Sequence, residues 1–363
     1  MDFVAEFPLP PRLREPLTRA LRGEPSDWPD ALTSGEVDAL VAHGVAPLVY
    51  ANARVPQLRN EAMRAAAYEP LRTSDLGEVL AALAARGVEA LIVKGTALAY
   101  DLYPEPELRP RSDNDLLIAH ADVPHVREAM LALGFEENVD SGDEHGLRQA
   151  VFTRAPGMVY DVHWSATNVP AFDAVLRYDE LRARSLPLPR LGPHARGLSS
   201  VDALLFACIH RIAHHHDSDR LIWLVDIDLL RRRMSRAEHE RFWRLAAEGR
   251  VVGVCERSIA AADAWLSREP HHPASEFLTH EERTRAEPSR VFLDREITHG
   301  GVMAASLRAL PWRARVQRLW QLAFPPAEFI RRRFGARHAL TLPWWYVYRA
   351  VRGVTRLFRK AVR

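Results

Sequence analysis

One short segment constrains the fold more than any other part of the chain. It consists of two apolar runs separated by a glycine turn, a short helical stretch and a proline-rich loop. The first run covers 88–93 and ends at Lys94 and Gly95, and the second covers 114–118. Short apolar runs bounded by Gly and Pro are typical of buried strands. The segment therefore predicts a strand, a glycine turn, a helix over 96–102 and a second strand.

The turn after the first strand has the residues of a phosphate site. Gly95 lets the backbone approach a phosphate closely, and the start of the following helix offers unpaired N–H groups to an anion. Lys94 adds a positive charge at the same place. The chain has 49 basic residues, of which only Lys94 and Lys360 are lysines. A lysine at position 94 of such an arginine-rich chain therefore indicates that an ammonium group is required there.

Acidic residues follow in the next strands. Asp113 and Asp115 are two residues apart, which places both carboxylates on one face of a strand. Asp161 lies in another apolar run, 159–163. If the two strands pair side by side, three carboxylates meet, and such a cluster requires a cation. Mg²⁺ suits these oxygen ligands, with Mn²⁺ as the alternative, in a site for phosphoryl or nucleotidyl transfer. His163 shares the face of Asp161, where it orients Asp161, contacts substrate or makes a structural hydrogen bond.

The remaining chain is predominantly helical, so the sequence predicts an α+β fold. Further short strands are expected over 135–139, 147–153 and 158–164. Helices are expected over 34–41 with Ser34 as N-cap, and over 71–86, 199–216, 220–233, 238–248, 251–266, 313–334 and 344–362, with a polar loop over 268–300. The predicted organisation is a helical region over 1–87, a core over 88–170, a linker over 171–198 and a second helical region over 199–363.

These motifs resemble those of a known family. The chain is similar to the uncharacterised bacterial nucleotidyltransferases of the NTP_transf_5 type, within the DNA polymerase β-type nucleotidyltransferase superfamily. The matching elements are Lys94-Gly95, Leu102-Tyr103-Pro104, Arg109-Pro110, Asp113-Asn-Asp115-Leu-Leu-Ile, Asp161-Val-His163-Trp164 and the histidine-rich stretch from His210 to Asp228.

The resemblance implies a polymerase-β-like palm flanked by helices. It also implies Mg²⁺-dependent transfer of a nucleoside monophosphate from an NTP to an acceptor, with release of pyrophosphate. By resemblance, Asp113, Asp115 and Asp161 are the catalytic metal ligands, and Asp161 is a candidate base for an accepting hydroxyl. The residues expected to contact the triphosphate are Lys94, Gly95, Thr96 and Arg109. Many members have Gly-Ser at the turn, and Thr96 keeps that hydroxyl.

Two other functions stay open from the sequence. One is a catalytically silent nucleotide-binding or regulatory module. The other is a metal-dependent phosphohydrolase built on a histidine cluster, with the candidate ligands His210, His214, Asp217 and either Asp226 or Asp228. In the transferase interpretation, candidates for substrate binding are His163, His210, His214 and Asp226. Asp226 lies in an apolar helical run, so it is expected to pair with Arg220 or with a histidine of the preceding helix.

Charge is distributed unevenly along the chain. Residues 306–363 contain fourteen Arg or Lys and one acid, Glu328. This segment is expected either to dock on the acidic remainder, to bind an anionic membrane surface or to bind RNA. The acceptor is accordingly a small molecule, a protein or an RNA. The two cysteines have no metal-site spacing, and the sequence shows no signal-peptide pattern or membrane-spanning apolar run. We therefore expect a cytoplasmic protein.

Overall fold

A seven-stranded mixed sheet lies at the centre of the computed structural model. The structure describes residues 6–138, 148–173, 175–266, 268, 271–294, 301, 304–305, 307–308, 310, 312–324, 327–334 and 339–349. The strands are β1 Leu91–Val93, β2 Asn114–Leu117, β3 Glu136–Asn138, β4 Gln149–Arg154, β5 Met158–His163, β6 Leu186–Pro187 and β7 Arg196–Gly197, and their order in the sheet is β3-β4-β5-β2-β1-β7-β6.

Helices surround this sheet and precede and follow it in the chain. They are α1 Arg14–Leu21, α2 Ser34–Ala42, α3 Ala46–Ala53, α4 Arg59–Ala84, α5 Lys94–Leu102, α6 Val123–Ala132, α7 Tyr178–Ala183, α8 Ser200–Ala213, α9 Leu221–Arg233, α10 Arg236–Glu248, α11 Val252–Leu266, α12 Ala274–Phe277, α13 His280–Thr284, α14 Trp312–Ala323 and α15 Ala327–Phe334, with a further helical segment over 342–349. The predicted α+β class is confirmed.

Strand pairing brings the predicted acidic residues together. β2 pairs with β1 in antiparallel and with β5 in parallel orientation. The register sets Asp115 opposite Val93 on one side and opposite Asp161 on the other. Residues in one row across a sheet point to the same face. The expected side-by-side pairing of the Asp115 and Asp161 strands is therefore confirmed.

The two faces of the sheet have different partners. Ile92, Leu116 and Val162 belong to a buried cluster that includes residues of α4 and α6. The residues that alternate with these along the strands, such as Val93 and Leu117, belong to a larger cluster with the N-terminal helices and with α8–α11. Because side chains alternate along a strand, Asp115 shares the second face. The helical regions therefore cover the face of the sheet that carries the acidic residues.

Several helix boundaries differ from those predicted. Helix α4 begins at Arg59 rather than 71 and continues through Pro70. Thr33, not Ser34, is the N-cap of α2, because its side chain accepts a hydrogen bond from the Glu36 backbone and the Glu36 carboxylate accepts one from the Thr33 backbone. This reciprocal capping box satisfies two N–H groups that lack partners within the helix.

The segment 171–198, predicted as a linker, holds α7 and two strands. β7 pairs with β1 in parallel orientation, so this segment extends the sheet beside the turn at Lys94. The predicted polar loop over 268–300 contains the short helices α12 and α13. Of the predicted helix over 344–362, the residues from 350 onward lie outside the described part of the chain. Within that part, no helix is long and apolar enough to cross a membrane.

Candidate active site

Four charged or polar side chains meet where three adjacent strands carry them to one face of the sheet. Lys94 directly follows β1, Asp115 lies in β2, and Asp161 and His163 lie in β5. They line a cavity of about 620 Å³ whose other wall is formed by α8, α9 and the segment between them. This volume lies within the usual range for small-molecule sites, about 300–1,000 Å³.

Short contacts join these four side chains. Lys94 Nζ lies 2.7 Å from Asp115 Oδ1 and 3.2 Å from His163 Nε2. His163 Nε2 also lies 3.0 Å from Asp115 Oδ1 and 3.2 Å from Asp161 Oδ2. Asp115 and His163 are buried. The charges are therefore in a region where electrostatic interactions are stronger than at the surface.

These contacts shift the pKa values of the buried groups. Burial alone would raise the pKa of Asp115, but Lys94 and the hydrogen bond from His163 hold it well below its usual range. Burial would lower the pKa of Lys94, and the Asp115 carboxylate raises it above its usual value. The pKa of Asp113 is raised by burial and by the negative charge of Asp115. Lys94 and Asp115 therefore form an ion pair at neutral pH.

The turn between β1 and α5 has an unusual backbone. Lys94 has a φ of 53°, in the left-handed region that residues other than glycine rarely adopt. Gly95 follows it, and a Cβ there would lie 2.3 Å from Arg109 Nη1, so any other residue would require the guanidinium to move. Such local strain persists where surrounding contacts hold it and is common at functional sites.

A buried ion pair between Arg109 and Asp226 lies directly against this turn. Arg109 Nη2 lies 2.7 Å from Asp226 Oδ2 on α9, and Nε is also within hydrogen-bond distance of that carboxylate. Tyr103 donates to Asp226 Oδ1 over 2.8 Å. The expected pairing of Asp226 with Arg220 or a histidine is wrong, because α9 packs this carboxylate against Arg109. The pair uses only Nε and Nη2, whereas Nη1 lies beside Gly95 and Arg109 lines the cavity. The expected contact of Arg109 with a triphosphate therefore stays a prediction.

Two other predicted residues have positions that spacing alone did not indicate. The Thr96 side chain is fully buried and donates to Asn114 Oδ1 over 2.9 Å. Its hydroxyl therefore ties α5 to β2, which conflicts with the expected contact to a triphosphate. β2 begins at Asn114, so Asp113 lies one residue before the strand. Asp113 lines the same cavity as Asp115.

The opposite wall of the cavity is aromatic. The rings of His210 and His214 stack with centroids 5.2 Å apart, and His215 lies 4.1 Å from the Trp223 ring. Burial and the nearby Lys94 charge lower the pKa of His214 to about 3 and that of His215 to about 4. These imidazoles are therefore neutral at physiological pH. The sequence-based assignment included His210 and His214 but missed His215 and Trp223, although the run of histidines was the available signal.

The acids required by a histidine-cluster phosphohydrolase have other partners. Asp217 Oδ2 lies 2.8 Å from Arg257 Nη2, and Asp228 Oδ2 lies 3.7 Å from Arg268 Nε. Asp226 is paired with Arg109 as described above. These three carboxylates therefore pair with arginines rather than joining the histidines as metal ligands, which argues against the phosphohydrolase alternative.

A potential metal-binding group lies on the sheet side of the cavity. Within the described residues, ligand atoms of Asp115, Asp161 and His163 lie within 4.8 Å of one another. Asp161 Oδ1 is buried without a hydrogen-bond partner. Two carboxylates and an imidazole are suitable donors for a divalent cation, so these residues fit a metal site. Asp113, expected as a third carboxylate ligand, is not in this group.

Comparison with known proteins identifies the family. A family model described as uncharacterised nucleotidyltransferase matches residues 27–267, which is most of the chain. This match confirms the resemblance found in the motifs around Lys94, Asp115 and Asp161. No curated protein matches the chain.

Proposed function

Because the chain belongs to the uncharacterised nucleotidyltransferase family, we propose that it transfers a nucleoside monophosphate from an NTP to an acceptor. The observation that carries this proposal is the register of β2 and β5, which sets Asp115 and Asp161 side by side next to the turn at Lys94 and Gly95. Carboxylates that hold a metal next to a phosphate-binding turn are what nucleotidyl transfer requires. The catalytically silent alternative lacks a comparable observation, since both carboxylates are present.

We assign the following roles to the residues of this chain. Asp115 and Asp161, with Asp113 lining the same cavity, would hold a divalent metal ion, either Mg²⁺ or Mn²⁺. When bound, such an ion polarises the α-phosphate and neutralises charge that develops during transfer. Lys94 and the backbone N–H groups that follow Gly95 bind the β- and γ-phosphates. Arg109 holds the turn in position through its contact with Asp226.

The proposed reaction is an in-line displacement. An oxygen or nitrogen lone pair of the acceptor forms a bond to the α-phosphorus, and the bond from that phosphorus to the bridging oxygen of pyrophosphate breaks. The proton of an accepting hydroxyl passes to Asp161, and pyrophosphate leaves beside Lys94. Most of the rate enhancement would come from positioning and charge stabilisation, as is general in phosphoryl transfer.

The aromatic wall provides the second half of the proposed substrate site. Neutral His210 and His214 next to Trp223 form a surface that can stack on a flat ring and exchange hydrogen bonds with uncharged polar groups. The phosphates would bind at the charged wall and the uncharged part of a substrate at this one. The substrate-binding role predicted for His210 and His214 is thus retained in the proposal, whereas Asp226 acts through Arg109.

The first experiment measures binding and turnover separately. We expect at least one NTP to raise the melting temperature of the wild-type protein when a divalent cation is present and not when it is absent. The double variant Asp113→Ala/Asp115→Ala should lose this shift, while the exposed control Asp179→Asn should keep it. Incubation with NTP labelled on the α-phosphate and with candidate acceptors then tests transfer. Absence of a cation-dependent shift with every NTP, in a folded wild type, would refute the proposed function.

A further inference from the structure

We propose that His163 is itself a ligand of the catalytic metal ion, so that the site prefers a transition-metal ion such as Mn²⁺ to Mg²⁺. This inference rests on the proposed function for the use of the metal. It arises from an imidazole nitrogen placed between two carboxylates.

Contacts to one atom of His163 conflict if they are all hydrogen bonds. Nε2 lies 3.0 Å from Asp115 Oδ1, 3.2 Å from Asp161 Oδ2 and 3.2 Å from Lys94 Nζ. An ammonium can only donate a hydrogen bond, whereas an ionised carboxylate can only accept one. No single protonation state of Nε2 satisfies these neighbours together. A metal ion would accept the Nε2 lone pair and both carboxylates at once, and the Lys94 ammonium would then leave Nε2 for another acceptor.

Ligand spacing agrees with this role. Adjacent ligands of a six-coordinate ion with bonds of about 2.1 Å are about 3.0 Å apart, because their bonds meet at right angles. The separations of Nε2 from the two carboxylate oxygens, 3.0 and 3.2 Å, match that value. His163 is therefore spaced as a neighbour of both Asp115 and Asp161 in one coordination sphere.

The donor set determines which metal is favoured. Mg²⁺ prefers oxygen ligands, and an imidazole makes its site weaker than an all-carboxylate one. Mn²⁺ accepts the same carboxylates and, as a first-row transition-metal ion, also takes an imidazole nitrogen. Binding of metal to Asp115 also competes with Lys94, so the ammonium becomes available to the triphosphate.

The test measures metal binding without nucleotide. Mn²⁺ is titrated into the full chain and free Mn²⁺ is followed by electron paramagnetic resonance, with Mg²⁺ as competitor. We expect His163→Gln to weaken Mn²⁺ binding roughly 10–100-fold and Mg²⁺ binding much less. His120→Gln is the matched control, because His120 is exposed and contacts Trp164 rather than the carboxylates. Electron spin echo modulation on the wild type should show an imidazole nitrogen bound to Mn²⁺, independently of any variant.

Three results would overturn the inference: a wild type that binds no Mn²⁺, an echo spectrum without nitrogen coupling, or equal weakening of both metals in His163→Gln. The last result would make His163 a positioning residue for the carboxylates. Failure of the transferase function is distinguishable, because a wild type that binds Mn²⁺ through His163 but transfers no nucleotide refutes only that function.

A different observation carries a second inference. We infer that the basic aromatic surface, which comprises α14, Phe324 and residues 340–349, binds an anionic lipid surface. On α14, Trp312, Val316, Leu319 and Trp320 are between 47% and 69% exposed. Their spacing places them on one face of the helix.

The same arrangement recurs in the next segment. Leu340, Trp344, Val347 and Tyr348 are all exposed and repeat the spacing of the stripe on α14. The other side of this segment is packed, since Trp345 stacks on Phe334 with ring centroids 5.3 Å apart. Tyr348 also lies near Phe334 and Trp345, with ring centroids 6.1 and 5.7 Å away. The exposed stripe outside this contact therefore consists of Leu340, Trp344 and Val347.

Charge and side-chain type together favour lipid over RNA. Residues 306–363 contain fourteen basic residues and one acid, so this region is attracted to any polyanion. Exposed Val, Leu and Trp gain free energy by entering the lipid interface, whereas aliphatic side chains gain little from RNA. An amphipathic helix with Arg and Trp is the usual composition for such a membrane-surface contact.

Vesicle flotation of the full chain tests this inference. We expect binding to vesicles of equimolar phosphatidylcholine and phosphatidylglycerol, none to phosphatidylcholine alone, and weaker binding as salt increases. Trp320→Asp/Trp344→Asp should reduce partitioning about tenfold or more. Leu131→Asp, an exposed apolar residue on α6, is the matched control and should bind like the wild type. Two results with vesicles would refute the inference: no binding to anionic vesicles, or equal binding by the wild type and the double variant. It would also be refuted if the chain bound RNA, the double variant bound RNA equally well, and anionic vesicles did not compete with the RNA.

Discussion

Replacing Asp226 by alanine tests how the helical region supports the turn at Lys94. In the folded chain, the Asp226 carboxylate accepts hydrogen bonds from Arg109 and from Tyr103. Arg109 in turn lies against Gly95, so closely that no Cβ would fit. The variant leaves the guanidinium buried without its counter-charge. We therefore expect loss of stability together with loss of nucleotide binding at the turn.

The magnitude follows from the burial of the pair. The Arg109 and Asp226 side chains are only 7% and 3% exposed. Removing one partner of a buried ion pair costs about 3–5 kcal/mol, because the remaining charge has neither water nor counter-charge. A typical protein has a free energy of unfolding of only about 5–15 kcal/mol. Asp226→Ala should therefore remove a large share of the total stability.

Urea denaturation followed by circular dichroism at neutral pH measures this change. Asp101→Ala is the matched control, because Asp101 pairs with Arg233 at 2.7 Å near the surface. This variant should lose at most about 1 kcal/mol of the free energy of unfolding. The double variant Arg109→Met/Asp226→Leu should recover much of the stability, since no buried charge is left unpaired. A free energy of unfolding for Asp226→Ala within about 1 kcal/mol of the wild type would refute the reasoning.

Three further outcomes are expected. Gly95→Ala should abolish the NTP-dependent thermal shift, because its Cβ would displace the Arg109 guanidinium; an unchanged shift would contradict the close approach. Thr96→Val should lower the free energy of unfolding by about 1–3 kcal/mol through the lost hydrogen bond to Asn114, and NTP affinity in the folded fraction should persist. Burial lowers the pKa of His43 to about 4, so the unfolded state binds a proton that the folded state does not. The contribution of neutral His43 to the free energy of unfolding is therefore complete above pH about 6.5 and is smaller by about 2 kcal/mol at pH about 5. Urea denaturation at both pH values measures this difference. In His43→Leu, the free energy of unfolding should depend less steeply on pH.

Local sequence patterns were enough to predict the elements that carry the site. Apolar runs next to Lys94, Asp115 and Asp161 predicted three strands, and the structure confirms all three. Strand periodicity also predicted that His163 lies on the same face as Asp161. These features depend on neighbouring residues, so local spacing contains the information.

Contacts between distant elements were determined only by the tertiary structure. Arg109 and Asp226 are 117 residues apart, and their pairing depends on how α9 packs against the turn. Local spacing also could not show that the Thr96 hydroxyl is buried or that Lys94 meets His163. A buried charge takes whichever partner the packed helices bring within reach, and that choice depends on the whole core rather than on the residues next to it in the chain.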